Sequence, residues 1–266
     1  MTDPAPAAGE VPLARQMASA LRGAVIPVLF FIAVIGLWEA TTILLEIPEI
    51  VLPSPSAIGI ALWKSVLSPT FLYHLGITLW EVIAGFVLGA VIGIAAGIAV
   101  GLFPFAERTL YPYIVAFQAL PKVSVAPIIM IWFGYGLTSK IVLTATMSFF
   151  PLLANTIAGM RATPPDQKDL FHGMTANRWQ IFWKLNLPLA LPFIFVGLDL
   201  SLLLSVTGAI VGEFVGARAG LGFLILQRNF SLDMPGNFAI LVVLAAIGLF
   251  FHLGVKVLEK KVIFWR

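Results

Sequence analysis

Few side chains in this 266-residue sequence could do ionic chemistry away from water. Glu81, Lys122 and Asp199 interrupt long apolar runs, while Glu39 and Glu213 sit nearer the ends of theirs. A charge at the centre of a bilayer costs roughly 2.5–3.5 kcal/mol on insertion scales, so such residues face a protein interior or a polar cavity and pair there. Two readings stay open for these three. They line a polar route, or they form a structural ion pair such as Lys122 with Asp199 or Glu81. Other chemistry finds no constellation. There is no G-x-x-x-x-G-K-[ST] loop to cradle a nucleotide phosphate and no H-E-x-x-H. His74, His172 and His252 are scattered, which leaves no metal site, and no G-x-S-x-G elbow presents a nucleophile. With no cysteine, thiolate catalysis, Cys-type zinc sites and iron–sulfur clusters are excluded. No catalytic residue is assigned, and an intramembrane enzyme has nothing to rest on.

The surroundings of those charges explain their cost. Apolar residues make up 60% of the chain and charged ones 11%, and the mean hydropathy is +1.00. A soluble domain carries about 25% charged residues and could not hide this much apolar surface. Six runs are long enough to cross a bilayer, which takes about 20 residues each: 22–45, 77–103, 110–133, 138–160, 188–212 and 237–258. The expected fold is therefore an all-α membrane protein of six transmembrane helices. Residues 1–20, polar and Pro/Ala-rich, read as a disordered tail without the features of a signal peptide. Residues 21–266 read as one transmembrane domain.

Lys and Arg set the orientation. With the N-terminus in the cytoplasm, eleven fall inside, Lys64, Lys140, Arg218 and Arg228 fall outside, and Lys122 lies within a span. Both termini are thus expected inside. Residues 51–65, with two Pro–Ser steps and a short amphipathic run, look like a helix lying at the outer interface. The stretch from Glu213 to Asn237 carries Gly216, Gly220 and Gly222, as a mobile or re-entrant segment would. Gly85, Gly89, Gly93, Gly97 and Gly101 recur every four residues and so stack along one helix face. Such a face suits tight helix packing, within the chain or against a second copy. No internal repeat marks a carrier built from inverted halves.

The long cytoplasmic loop, 161–187, has a character of its own. Thr163 followed by Pro164 and Pro165 looks like a helix start, and a second short helix is expected near Thr175–Asn177. Trp179, Phe182 and Trp183 fall at i, i+3 and i+4, an aromatic face for the membrane boundary. Two short helices ending in Leu187–Pro188 resemble the coupling loop in permease subunits of bacterial ATP-binding-cassette importers. That family's signature is E-A-A-x3-G-x9-I-x-L-P. Alignment on Leu187–Pro188 puts Asp169, Leu170 and Phe171 at E-A-A, Thr175 at the glycine and Leu185 at the isoleucine. Because Thr175 replaces the glycine, we expect a turn without a left-handed residue there, with Gly173 taking that role. LPSPS (52–56), PKVSVAPIIMIWFGYGLTSK (121–140), FFPLLANTIAGMRATPPD (149–166), RWQIFWKLNLPLALP (178–192) and GEFVGARAGLGFLI (212–225) resemble the nitrate/sulfonate/taurine branch of these permeases.

The resemblance implies a permease with a five-helix core in the bacterial inner membrane, surrounded by lipid. It implies a second permease copy, two cytoplasmic ATP-binding subunits and a periplasmic or lipid-anchored substrate-binding protein. ATP and Mg would be bound by those subunits, with no cofactor or metal in this chain, no enzyme activity of its own and no nucleic-acid partner. Asp169, Leu170, Phe171 and Thr175 would couple to the ATPase, and Glu81, Lys122 and Asp199 would line the translocation path. Members of the branch often carry Lys or Arg after Gly-Leu in the fifth span, whereas Gly197–Leu198 is followed here by Asp199. The implied solute is small and polar: nitrate-, sulfonate- or taurine-like, a related organic acid, or a vitamin precursor. The alternative is a self-contained secondary transporter or channel.

Overall fold

A computed structural model describes residues 13–265, with side chains from residue 25 onward apart from 104 and 107. Among the described residues there is no strand. The expected tail, 1–20, lies outside the described residues as far as residue 12. From Leu13 the backbone is already helical, because Leu, Ala, Arg, Gln and Met are good helix formers that extend the first span backwards.

Helix α1 runs Leu13–Leu44 and α2 Pro55–Val66, the short helix expected from 51–65. The Ser54 hydroxyl caps α2 by accepting from Ala57 N–H, and Pro55 opens its first turn. Glu39 fastens α2 to α1, accepting from the Ser56 amide at 2.9 Å and the Ser56 hydroxyl at 2.6 Å. Then follow α3 (Pro69–Leu102), α4 (Pro104–Ala119), a 3-10 turn at Lys122–Val125, α5 (Ala126–Phe133) and α6 (Leu137–Arg161). Next come α7 (Pro165–Gly173), α8 (Arg178–Ile181), a π turn at Phe182–Asn186 and α9 (Leu187–Gly216). Helices α10 (Leu221–Phe230) and α11 (Met234–Val262) complete the described chain.

Five of these elements are long and apolar enough to cross a membrane: α1, α3, α6, the continuous rod Arg178–Gly216, and α11. The third expected span, 110–133, differs. It is a pair of helical pieces, Arg108–Ala119 and Lys122–Phe133, bent by 85°. Pro121 lies at the break and Pro127 in the first turn of α5. A proline has no N–H to donate and its ring clashes with the preceding turn, so one straight helix could not carry both.

Helix α6 is the centre of the bundle, packed between α3 and α9. The glycine stripe of α3 makes this possible. A Cβ at Gly93 would lie 2.9 Å from the Phe149 carbonyl oxygen, and one at Gly97 would lie 2.5 Å from the Thr156 Cβ. Gly85, Gly89 and Gly101 meet Thr144, Ser148 and Met160 in the same way. The register climbs by four on both helices, so α3 and α6 run parallel with their backbones in near contact. The expectation of tight packing holds, and the seam lies within the chain. On the other side of α6, Gly208 faces Thr144 and Gly159 faces Ala190, which makes α9 antiparallel to α6. Leu143, Leu152, Ile157 and Met160 fill the space between, all closed to solvent.

Candidate functional site

Lys140 and Glu81 lie one turn before the first stripe contact, Thr144 on Gly85. Lys140 Nζ is 3.6 Å from Glu81 Oε1, and both side chains are buried. Glu213, near the end of α9, is equally buried. Its Oε1 accepts from the Thr78 hydroxyl at 2.6 Å, and its Oε2 accepts from Gly222 N–H. The neighbouring amides are held from α3: Leu221 N–H donates to Thr78 Oγ1 at 2.8 Å, and Gly220 N–H donates to His74 Nδ1 at 2.9 Å. A histidine nitrogen that accepts is unprotonated, so the His74 proton sits on Nε2. Gly220 is required here, since its φ of +115° is one that side-chain-bearing residues rarely adopt, and a Cβ would strike the Glu213 carboxylate. The glycine-rich segment after α9 is therefore pinned across the bundle end by α3 and α9.

The three ionisable residues expected on one route occupy three separate places. Glu81 belongs to the buried pair just described. Asp199 faces α11, its Oδ1 2.7 Å from His252 Nδ1. Lys122 occupies the break between α4 and α5, its ammonium 5.2 Å from the centre of the Phe150 ring. Among the described residues Lys122 forms no ion pair. It thus reaches neither Asp199 nor Glu81, the partners considered from sequence. The residues overlooked there are Lys140, read as an outer loop cation, and His252, read as scattered. The register of the glycine stripe was the available signal for Lys140. Glu81 is four residues before Gly85 and Lys140 four before Thr144, so alignment of the two helices brings them together.

At the opposite end of the bundle lies the loop aligned with the coupling signature. Asp169 and Leu170 point outward from α7, and Phe171 is half-buried. Leu170 is 62% exposed and Met174 70%, an apolar surface on an otherwise polar helix. The helix closes with paired bonds, Ala176 N–H to the Phe171 carbonyl at 3.0 Å and Thr175 N–H to the His172 carbonyl at 2.9 Å. This closure needs a left-handed residue just beyond the helix. That residue is Thr175, at φ +57°. The expectation that Gly173 would take the turn fails, because Gly173 completes the last turn of α7.

Asn177 then caps α8 in a reciprocal box with Gln180, at 2.8 and 2.9 Å. Trp179 stacks on Phe182, and Trp183 meets both edge-on, with ring centres 5.3–5.8 Å apart. The π turn that follows has a local cause. Pro188 has no N–H to offer Lys184, and the turn widens so that Leu187 N–H reaches Phe182 instead. The loop ends where it began, with the Thr163 hydroxyl 3.2 Å from Asn186 Oδ1, both residues buried.

Comparison with known proteins agrees with this arrangement. Residues 89–264 match the family described as the binding-protein-dependent transport system inner membrane component. The riboflavin transport system permease protein RibX of Chloroflexus aurantiacus is 40% identical over 229 residues, covering 86% of this chain and 85% of the relative. The formylaminopyrimidine transport permease protein ThiX of Halalkalibacterium halodurans is 36% identical, covering 90% and 95%. The taurine transport system permease protein TauC of Escherichia coli is 27% identical, covering 86% and 85%. In three dimensions the chain resembles a chain of the MetNI methionine ABC transporter in an inward-facing conformation. The TM-score is 0.64 at 21% identity, covering 73% of this chain and 96% of that one. The multi-pass bundle, the exposed α7 and these relatives together lead to one conclusion: the chain belongs to the binding-protein-dependent transport system inner membrane component family and is a permease subunit of an ABC importer.

Proposed function

We propose that two copies of this chain pair in the bacterial inner membrane with both termini cytoplasmic, and that two ATP-binding subunits drive them. Those subunits hold ATP and Mg, and a periplasmic or lipid-anchored binding protein delivers a small polar solute. The relatives at 40% and 36% identity, named for riboflavin and formylaminopyrimidine, favour a vitamin or vitamin precursor over a simple sulfonate. Of the ionisable residues, Lys122 lines the route, while Glu81 and Asp199 are held by Lys140 and His252.

The observation that supports this reading most is α7, a short helix with Leu170 and Met174 outward that is tied into α9. A membrane chain without a phosphate loop must receive the energy of ATP through contact, and this helix suits a groove on a partner. The test is co-expression with the ATPase and binding protein of neighbouring reading frames, followed by purification through a tag on this chain. The ATPase should co-purify in equal ratio, and loaded binding protein should raise the rate of ATP hydrolysis. Uptake by this chain alone, driven by an ion gradient without ATP, would instead make it a secondary transporter or channel.

A further inference from the structure

The 85° break between the halves of the third span leaves a cation among aromatic rings on an open flank of the bundle, at mid-height of α6. Phe150 stands halfway along α6, and Lys122 Nζ lies 5.2 Å above its ring centre. Phe117 is nearly parallel to Phe150, with centres 6.3 Å apart and planes at 19°. Phe149 meets Phe150 edge-on at 5.0 Å. Two open grooves of about 370 Å³ each meet at the Phe149–Phe150 pair, one walled by Leu88 and Ile92, the other by Tyr113 and Phe117. That volume is in the range of small-molecule sites. Non-helical backbone at membrane depth is tolerated where it lines a cavity, and broken helices mark solute sites in other transporters.

An ammonium carries three N–H donors, and a ring face satisfies them less well than an oxygen would. The Phe150 face is itself a surface on which a flat ring can lie. We propose that Lys122, Phe150 and Phe117 form a binding site on the transport route for a planar heteroaromatic solute bearing a ring carbonyl oxygen. The solute ring stacks on Phe150 with Phe117 packed beside that ring, and the Lys122 ammonium leaves the Phe150 face to donate to that oxygen. An aliphatic sulfonate could use the ammonium but would leave the rings idle. This assignment rests on the permease reading, because a solute reaches this depth only if the chain conducts it.

The experiment uses the complete complex of permease, ATPase and binding protein in vesicles, with riboflavin and taurine as probes. ATP hydrolysis is measured with and without loaded binding protein alongside uptake. We expect riboflavin uptake, a loss of at least tenfold in Phe150→Leu and in Lys122→Gln, and recovery to within twofold in Phe150→Trp. Membrane insertion of each variant is quantified by blotting, so that lost uptake is read per inserted complex. Accumulation of taurine but not riboflavin, or a Phe150→Leu variant within twofold of wild type, would overturn the site while leaving the permease reading intact. Hydrolysis that no loaded binding protein stimulates would overturn the permease reading, and the site with it.

Discussion

Lys140 neutralises Glu81 inside the bundle across 3.6 Å, with 4% of the lysine and none of the glutamate exposed. Lys140 is the cation beside Glu81, and a second buried carboxylate, Glu213, lies near enough to interact with the same pair. Removing one partner of such a pair costs about 3–5 kcal/mol, because the other charge is left buried. Lys140→Met should therefore lower the stability of the detergent-purified subunit by about that much, read from its unfolding transition. The double variant Lys140→Met/Glu81→Gln should recover most of the loss. A double variant no better than the single one would mean that the pair does not act as a unit.

The glycine stripe makes a sharper prediction, because an exposed glycine elsewhere on α3 is a built-in control. A side chain at Gly93 would drive into the Phe149 carbonyl at 2.9 Å, whereas a Cβ at Gly76 on the same helix meets nothing within 4 Å. Gly93→Leu should reduce the assembled complex in the membrane several-fold by quantitative blotting. Gly76→Ala should leave it unchanged, since a helical alanine is favoured over glycine by about 1 kcal/mol.

Most of the bundle could be read before any coordinates, and the exceptions have physical causes. The length of the apolar runs and the four-residue glycine spacing each report on a single helix, and they located the long helices and the packed face of α3. What they could not report is pairing between helices. Asp199 meets His252 rather than Lys122 because α11 returns along α9. Lys122 meets Phe150 because the span bends at Pro121. The turn after α7 was misread for another reason. Glycine is the usual left-handed residue, so Gly173 was the natural choice, yet the helix runs through it and tertiary context forces Thr175 into that conformation.

That strain can be measured. A β-branched residue in the left-handed region costs roughly 1–2 kcal/mol, which glycine would not incur. Thr175→Gly should raise the unfolding transition of the subunit by about 1 kcal/mol in free energy, less the added freedom of the unfolded chain. Gly173→Ala should be neutral or slightly stabilising, since it sits within the helix in open space. The reverse order of effects would place the turn at Gly173 after all.

The same loop is where coupling should be most sensitive to a single side chain. Leu170 projects from α7 while Phe171 is half-buried behind it; under the proposed coupling the first would offer the contact and the second would keep the helix seated. Displacement of α7 has two ways to reach the membrane. One is the short connection through the Asn177 cap into the rod Arg178–Gly216, which is continuous with α9. The other is the Thr163–Asn186 hydrogen bond, which closes the loop at its base. The packed rings of Trp179, Phe182 and Trp183 hold the first turns of that rod together, so motion at α7 would shift the rod instead of bending it. Phe171→Asp and Leu170→Asp should each abolish stimulation of ATP hydrolysis by loaded binding protein while the subunit remains inserted and dimeric. Thr163→Val should weaken coupling without abolishing it, because it leaves a buried Asn186 oxygen short of a donor at about 1–3 kcal/mol. The three variants are compared by hydrolysis rate in proteoliposomes, with dimer content checked by cross-linking. Full stimulation in both aspartate variants would remove α7 from the coupling path and shift attention to the other cytoplasmic turns.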